Sequence, residues 1–248
     1  ILQQIKCNVM MVQIGMIYSK YLKNNKLQSL VIGISGGIDS AVTSTLCAMT
    51  GLKTYVVIMP IHQKSDETDR GIDHCNWLIS KFPNVEMIKV DLTESFEQFK
   101  NNFSKEYDNK LALANTRARL RMTTLYLIAG NKNGIVAGTG NKVEDFGVGF
   151  YTKYGDGGVD ISPIADCNKT EVWEIGKELG ILQEIFDAAP TDGLWDDGRT
   201  DEGQLGFDYQ ALEDAMKNPN SPHKAEYEKI RKQNMHKMEP IPVCKIPS

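Results

Sequence analysis

The chain has little cysteine, and what it has forms no pattern. Cys7, Cys47, Cys75, Cys167 and Cys244 are odd in number and far apart, and no C-x-x-C occurs. A disulfide framework, a zinc site and thioredoxin-like redox chemistry are therefore not expected, and the thiols read as reduced, as in a cytoplasmic protein. Long hydrophobic runs are also missing. The apolar stretches are as short as Val56-Val57-Ile58-Met59, against the ~18 residues that a membrane span needs. The start, Ile1 to Lys6, has no basic segment, apolar middle or small-residue cleavage site, so no secretory signal is expected, and without an initiator methionine the chain reads as trimmed. No charge of one sign dominates. With 28 Lys+Arg against 32 Asp+Glu, the net charge of −4 gives no general pull toward nucleic acid or anionic membranes. Repeats, low-complexity tracts and Pro/Ser linkers are absent as well. Two nucleotide motifs fail. G-x-x-x-x-G-K-[ST] occurs nowhere, and Gly138-Thr139-Gly140 opens like a dinucleotide fingerprint but has Val143 in place of the third glycine.

What is present is an alternation of short apolar runs and amphipathic stretches. The 248 residues are enough for one large domain or two small ones, with a full core and no need of staples. Apolar residues at helical spacing over 3–23 predict a first helix. Strands are expected at Leu30–Ile34, Thr54–Met59, Val85–Val90 and Ile135–Ala137. Helices are expected at Ser40–Met49, Ser65–Lys81, Thr93–Phe103, Asn109–Ala129 and Asn168–Leu179, the last capped by Asn168 and stopped by Gly180. Residues 138–166 read as loop. Residues 189–206 hold five acids and four glycines without periodicity and read as a mobile surface loop. Helices near Tyr209–Met216 and Ala225–Lys237 close the chain. The pattern predicts an α/β fold: a doubly wound, Rossmann-like parallel sheet in three α/β/α layers. We expect one domain over 1–248, with the core sheet at about 28–180, the loop at 189–206 and the C-terminal helices at about 208–238. Ligands of such sheets bind beyond the carboxyl ends of the strands.

The sharpest feature follows the first strand: Gly33-Ile34-Ser35-Gly36-Gly37-Ile38-Asp39-Ser40. Small residues allow a tight turn and close approach to a ligand. The N–H groups that open the next helix form an anion site, and Ser35 and Ser40 add hydroxyl donors. Asp39 would repel a bare phosphate, and Mg²⁺ between them removes the conflict. The loop alone thus points to a Mg²⁺–polyphosphate ligand.

S-G-G-x-D-S after a first strand resembles the pyrophosphate loop of the N-type ATP pyrophosphatases, of the adenine nucleotide alpha hydrolase type. These enzymes split ATP to AMP and pyrophosphate while adenylating an acid or carbonyl. Further blocks resemble one branch, the ammonia-dependent NAD synthetases. They are Asn115-Thr116-Arg117-Ala118-Arg119-Leu120-Arg121-Met122 (N-x-x-A-R-x-R-M), Gly138 to Glu144 (G-T-x-x-x-x-E), and Thr152 to Asp160 (T-K-Y-G-D-G-G-x-D). Asn168-Lys169, Pro190-Thr191-Asp192 and His236-Lys237 follow in the right order. The likeness runs from about residue 10 to 238. One residue more than the commonest pattern lies between Glu144 and Lys153.

The resemblance implies the site. Asp39 and Glu144 match ligands of Mg²⁺. Residues 33–40, Thr139, Lys169 and Thr191 match contacts to ATP, with Gln63 and the backbone near Ile58 and Met59 facing the adenine. Arg119, Lys153, Asp160, His236 and Lys237 match contacts to deamido-NAD. Asp39, Lys169 and Asp156 would serve catalysis, Asp156 as proton acceptor from ammonium. Arg117, Arg119 and Arg121 alternate along a helix and cannot share one face, so one at least is expected in a surface ion pair. The implied reaction amidates deamido-NAD to NAD through an NAD-adenylate, the last step of NAD biosynthesis, with the 189–206 loop as a lid and Trp195 at its tip covering the site or packing on a partner subunit. The implied partners are ATP, deamido-NAD and ammonia in a cytoplasmic homodimer, with no nucleic acid and no membrane. The chain leaves no room for a glutaminase domain, which needs on the order of 200 residues, so free ammonia is the expected nitrogen source unless another subunit or an upstream region delivers it. Two alternatives stand beside this: another N-type pyrophosphatase, such as a tRNA sulfur transferase or a GMP-synthetase-like enzyme, and a non-catalytic ATP-binding module. The first lacks the paired cysteines and basic surface of a tRNA enzyme; the second has no use for leaving-group stabilisation.

Overall fold

A computed structural model describes residue 13 and residues 17–191, 193–195 and 200–246. Four strands, β1 (Ser29–Gly33), β2 (Lys53–Ile58), β3 (Val85–Lys89) and β4 (Gly134–Val136), form a parallel sheet in the order β3-β2-β1-β4. Strand residues alternate between two faces, and both faces are covered. Leu30, Ile32, Val56 and Ile58 pack against Cys47, Cys75 and Leu78, which belong to α1 (Ile38–Met49) and α2 (Ser65–Lys81). Val31, Tyr55, Val57 and Val136 pack against Phe96 and Ala129, from α3 (Thr93–Asn101) and α4 (Lys110–Asn131). Apolar burial on both faces explains why β1 and β2 read as continuous Val/Ile runs. The three α/β/α layers are those expected, and each expected strand is found within a residue or so of its bounds.

Caps set the helix ends where the sequence placed them. The Asn109 side chain accepts from Ala112 N at the start of α4. Asn168 N donates to Glu171 Oε2 at 2.9 Å at the start of α5 (Lys169–Leu179), and Gly180 ends it in the left-handed conformation. Residues 17–24 are helical, with Leu22 in the core; most of the helix expected at 3–23 lies outside the described residues.

Two expectations are corrected. Residues 138–166 are not all loop, because Lys142–Val148 forms a π-helix. Glu144 O accepts from Gly149 N and from Phe150 N at 2.8 Å, a wider turn than that of an α-helix. Nor is 189–206 a structureless surface loop. Its last part is helix α7 (Asp201–Leu205), capped by Thr200, ended at Gly206, with Asp201 and Leu205 buried. Leu205 packs with Tyr209, Leu212, Val143 and Val148, so a tertiary cluster orders a stretch too short for periodicity to reveal. The same holds for α6 (Gln183–Asp187), whose Ile185 packs on α1 and α5. Helices α8 (Tyr209–Lys217) and α9 (Lys224–Met238) complete the chain. Among the described residues no helix is long and apolar enough to cross a membrane.

Candidate active site

With β1 flanked by β2 on one side and β4 on the other, the loops after β1 and β4 face one another across a crevice. The β1 loop is folded on itself by Ser40, whose Oγ donates to Gly37 O at 2.9 Å and accepts from Ser35 N at 3.3 Å. Gly36 has φ +85°, and a Cβ there would stand 2.6 Å from Glu67 O, so only glycine fits. Gly37 caps α1 without a side-chain hydrogen bond to its first-turn N–H groups, an end suited to an anion. Ile38 turns its side chain into the core beside α5 and can serve a ligand only through its backbone.

The β4 loop answers with Asn141, which is fully buried. Its side-chain oxygen accepts from Val143 N and Glu144 N, both at 3.0 Å, and its amide donates to Asp39 Oδ1 at 3.1 Å. Lys169, at the first position of α5 and 1% exposed, donates to Asp39 Oδ2 at 2.5 Å and to Glu144 Oε1 at 2.9 Å. Tyr209 OH donates to the same Glu144 oxygen at 2.6 Å and reaches Asp201 Oδ2 at 3.3 Å. Asp39 and Glu144 thus converge on one cation-sized position, held here by the Lys169 ammonium. Burial would hold the lysine neutral, but the two carboxylates outweigh it and raise its pKa. Burial also raises Asp39, opposed by Lys169 and helped by Glu144; Glu144, despite the same burial, is held low by Lys169 and the Tyr209 hydroxyl.

Asp39 and Glu144 form part of one wall of a cavity of about 230 Å³. Gly33, Ile34, Ser35, Asp39 and Ser40 of the first loop line it, as do Gln63, Thr139, Glu144, Asp156 and Thr191. Most of the residues expected to meet ATP are therefore brought together; Lys169 stands behind the wall, in reach of it through Asp39 and Glu144. The two carboxylates fit a hard divalent cation whose other ligands are phosphate oxygens and water. Among the described residues no group of three or more His, Cys, Asp or Glu could hold a metal by itself.

The residues expected to meet the dinucleotide lie elsewhere. Arg119 donates to Lys153 O at 3.3–3.4 Å, and Lys153 Nζ donates to His236 O at 2.8 Å. Lys237 Nζ donates to Gly149 O and Tyr151 O, and burial lowers its pKa against the pull of Asp156. These four join α4, the 149–156 segment and α9 into one surface. Asp160 is apart: it accepts from Val136 N at 2.8 Å and Tyr126 OH at 3.1 Å, tying α4 to β4. Asp192 lies outside the described residues. Leu194, and not Trp195, lines the cavity.

Sequence reasoning missed several groups. Arg121 reaches Met59 O at 3.0 Å and Gln63 Oε1 at 3.2 Å, and Arg117 reaches Leu194 O. Their four-residue spacing is the signal that they share a face which Arg119 does not, and these contacts end on oxygens of the backbone and an amide. Asp145 also lines the cavity, and burial together with Asp156, Glu144 and Asp39 pushes its pKa well up. Asn115 Oδ1 accepts from Thr152 Oγ1 at 2.7 Å, and Asp156 accepts from Thr152 N at 3.0 Å, so the α4 block positions the acid. Tyr209 had no local signal at all.

The chain is similar to known proteins along most of its length. The family model described as NAD synthase matches residues 10–246. The NH(3)-dependent NAD(+) synthetase of Carboxydothermus hydrogenoformans is 43% identical over 189 residues, covering 74% of each chain. That of Alkaliphilus oremlandii is 37% identical over 237 residues, covering 91% of this chain and 92% of its own. Among solved structures, the NMN synthetase from Francisella tularensis superposes with a TM-score of 0.87 at 30% identity, over 97% of this chain and 99% of that one.

Proposed function

Because the chain belongs to the NAD synthase family, we propose that it is an ammonia-dependent amide synthase that converts deamido-NAD to NAD at the expense of ATP. The observation that carries this reading is the convergence of Asp39, Glu144 and Lys169 at the wall of the cavity beside the glycine loop. The loop and the open N–H groups of α1 receive the phosphates. Asp39 and Glu144 would hold Mg²⁺, which when bound neutralises the phosphate charge. Lys169, released from the carboxylates toward the phosphates, stabilises the departing pyrophosphate. Gln63, the Met59 carbonyl and Arg121 frame the adenine end.

The nicotinate carboxylate attacks the α-phosphorus, pyrophosphate leaves, and ammonia then displaces AMP from the acyl carbon. Asp156, fixed by Thr152 N, accepts the proton of ammonium, while burial and the carboxylates around Asp145 favour that neighbour's neutral form. Arg119, Lys153, Asp160, His236 and Lys237 serve the acid substrate. We read the chain as one catalytic domain, cytoplasmic in keeping with its free cysteines, and homodimeric, with the exposed Tyr126 and Leu127 of α4 suited to cover by a second copy.

A second acid is favoured by a specific observation. The Francisella tularensis structure is named an NMN synthetase, and the ammonium groups of Lys153 and Lys237 are already engaged by carbonyls, which leaves fewer cations for a second nucleotide. The test is pyrophosphate release with ATP and Mg²⁺, with deamido-NAD or nicotinate mononucleotide as the acid, with and without ammonium or glutamine. The reading expects release and NAD formation with deamido-NAD and ammonium, and no gain from glutamine. Faster turnover of the mononucleotide moves the assignment to NMN; no amide from either acid overturns it.

A further inference from the structure

Arg117 takes no part in lining the cavity, yet it holds a piece of the wall. It lies on α4 and is 8% exposed. Its guanidinium carbon stands 4.8 Å from the centre of the Phe96 ring, and it donates to Leu194 O at 2.9 Å, across 77 residues. Leu194 and Thr191 line the cavity. Gly193 between them has φ +60° and lies so close to Gln63 that a Cβ there would stand 2.8 Å from Gln63 Nε2. One turn along α4, Arg121 donates to Gln63 Oε1 and to Met59 O. Two arginines at i and i+4 thus work on one face: Arg121 fixes Gln63, and Arg117 fixes the segment that rests on Gln63.

A guanidinium suits this role. It cannot shed its charge, the ring face and the carbonyl both offer it negative potential, and a buried charge deprived of such partners is costly. The Leu194 carbonyl, at the wall of the cavity, is thereby held to α4.

We propose that Arg117 is a positioning residue that fastens the segment bearing Thr191, Gly193 and Leu194 over the cavity and so keeps water from the acyl adenylate. The inference rests on the proposed function. In the coupled reaction the nitrogen of ammonia bonds to the acyl carbon, the bond from that carbon to the AMP oxygen breaks with its electron pair leaving on AMP, and the nitrogen gives up a proton. In the leak, water attacks the same carbon, the same bond breaks, and the original carboxylate, AMP and protons result. Opening the cover therefore raises AMP formed per amide formed.

The experiment compares wild type, Arg117→Gln and Arg117→Lys by that ratio and by amide hydrogen exchange. Wild type gives a ratio near one. Arg117→Gln raises it several-fold and raises the ATP KM, and exchange quickens in peptides covering 190–195 while the β1 and β2 peptides stay protected. Arg117→Lys, which keeps the charge without the planar fork, falls between. An unchanged ratio in both variants overturns the proposal, as does unchanged exchange at 190–195. Should Arg117→Gln fail to fold, Arg117→Lys carries both readouts. Failure of wild type to form amide from either acid would sink the functional reading alone, and the exchange result would still decide whether Arg117 holds the segment.

Discussion

The Asn141 side-chain amide donates to Asp39 Oδ1 at 3.1 Å while its oxygen accepts from Val143 N and Glu144 N. One buried asparagine therefore ties the loop after β1 to the loop after β4 and sets both candidate metal-holding carboxylates at once. Asn141→Ala should lower kcat at least tenfold and raise the Mg²⁺ concentration needed for half activity. It should cost about 1–2 kcal/mol of stability through loss of the cap and the bond to a charged group. Steady-state kinetics with Mg²⁺ titration and urea unfolding measure both; unchanged Mg²⁺ dependence would mean that Asn141 does not position the pair.

Lys169→Met removes the cation between Asp39 and Glu144 and leaves two buried carboxylates face to face. Breaking such a pair costs about 3–5 kcal/mol. Excess Mg²⁺ should restore part of that stability, because the same oxygens can take the metal, while pyrophosphate release stays abolished. Thermal unfolding with and without Mg²⁺ checks this, and equal Tm shifts by Mg²⁺ in wild type and variant would count against it.

His74 is fully buried between α1 and α2, with Nε2 2.9 Å from Ser44 Oγ and Nδ1 without a partner among the described residues. Burial lowers its pKa from 6.5 to about 4. The unfolded chain binds the extra proton first, so this contribution is whole above about pH 6.5 and is lost as pH falls toward 4. It amounts to at most roughly 3 kcal/mol. Urea unfolding across that window should show stability rising with pH in wild type, with a flatter curve in His74→Gln.

Side chains of α9 hold the carbonyls at the end of the π-turn and just after it. Arg231 donates to Phe146 O and Gly147 O, Asn234 to Val148 O, and Lys237 to Gly149 O and Tyr151 O. Lys237→Met should cost about 1–3 kcal/mol, lower kcat by disturbing the turn that carries Glu144, and raise the KM for the acid substrate. An unchanged KM with lowered stability would leave Lys237 a structural role alone.

The fold was legible because its signals are local. Apolar runs ended by glycine or proline mark β1 and β2, the acids behind Ser65 mark the first turn of α2, and Asn168 and Gly180 flank α5. The glycine loop and its position after β1 marked residues that line the cavity. Three things were not legible. The π-turn at Lys142–Val148 depends on packing of Val143 and Val148 against α8, which no short window contains. Tyr209 reaches Glu144 across 65 residues. Lys169 carries the right charge in the motif, but only the structure shows that it rests on Asp39 and Glu144. The arginines could have been sorted by the i, i+4 rule, which places 117 with 121 and apart from 119.

The most direct test is a crystal structure with Mg²⁺ and a non-hydrolysable ATP analogue. The account predicts the triphosphate on the backbone of residues 33–40, Mg²⁺ between Asp39 and Glu144, and the Lys169 ammonium moved onto a phosphate oxygen. A triphosphate bound away from that loop, or a Lys169 still locked between the two carboxylates with no metal beside them, would contradict it.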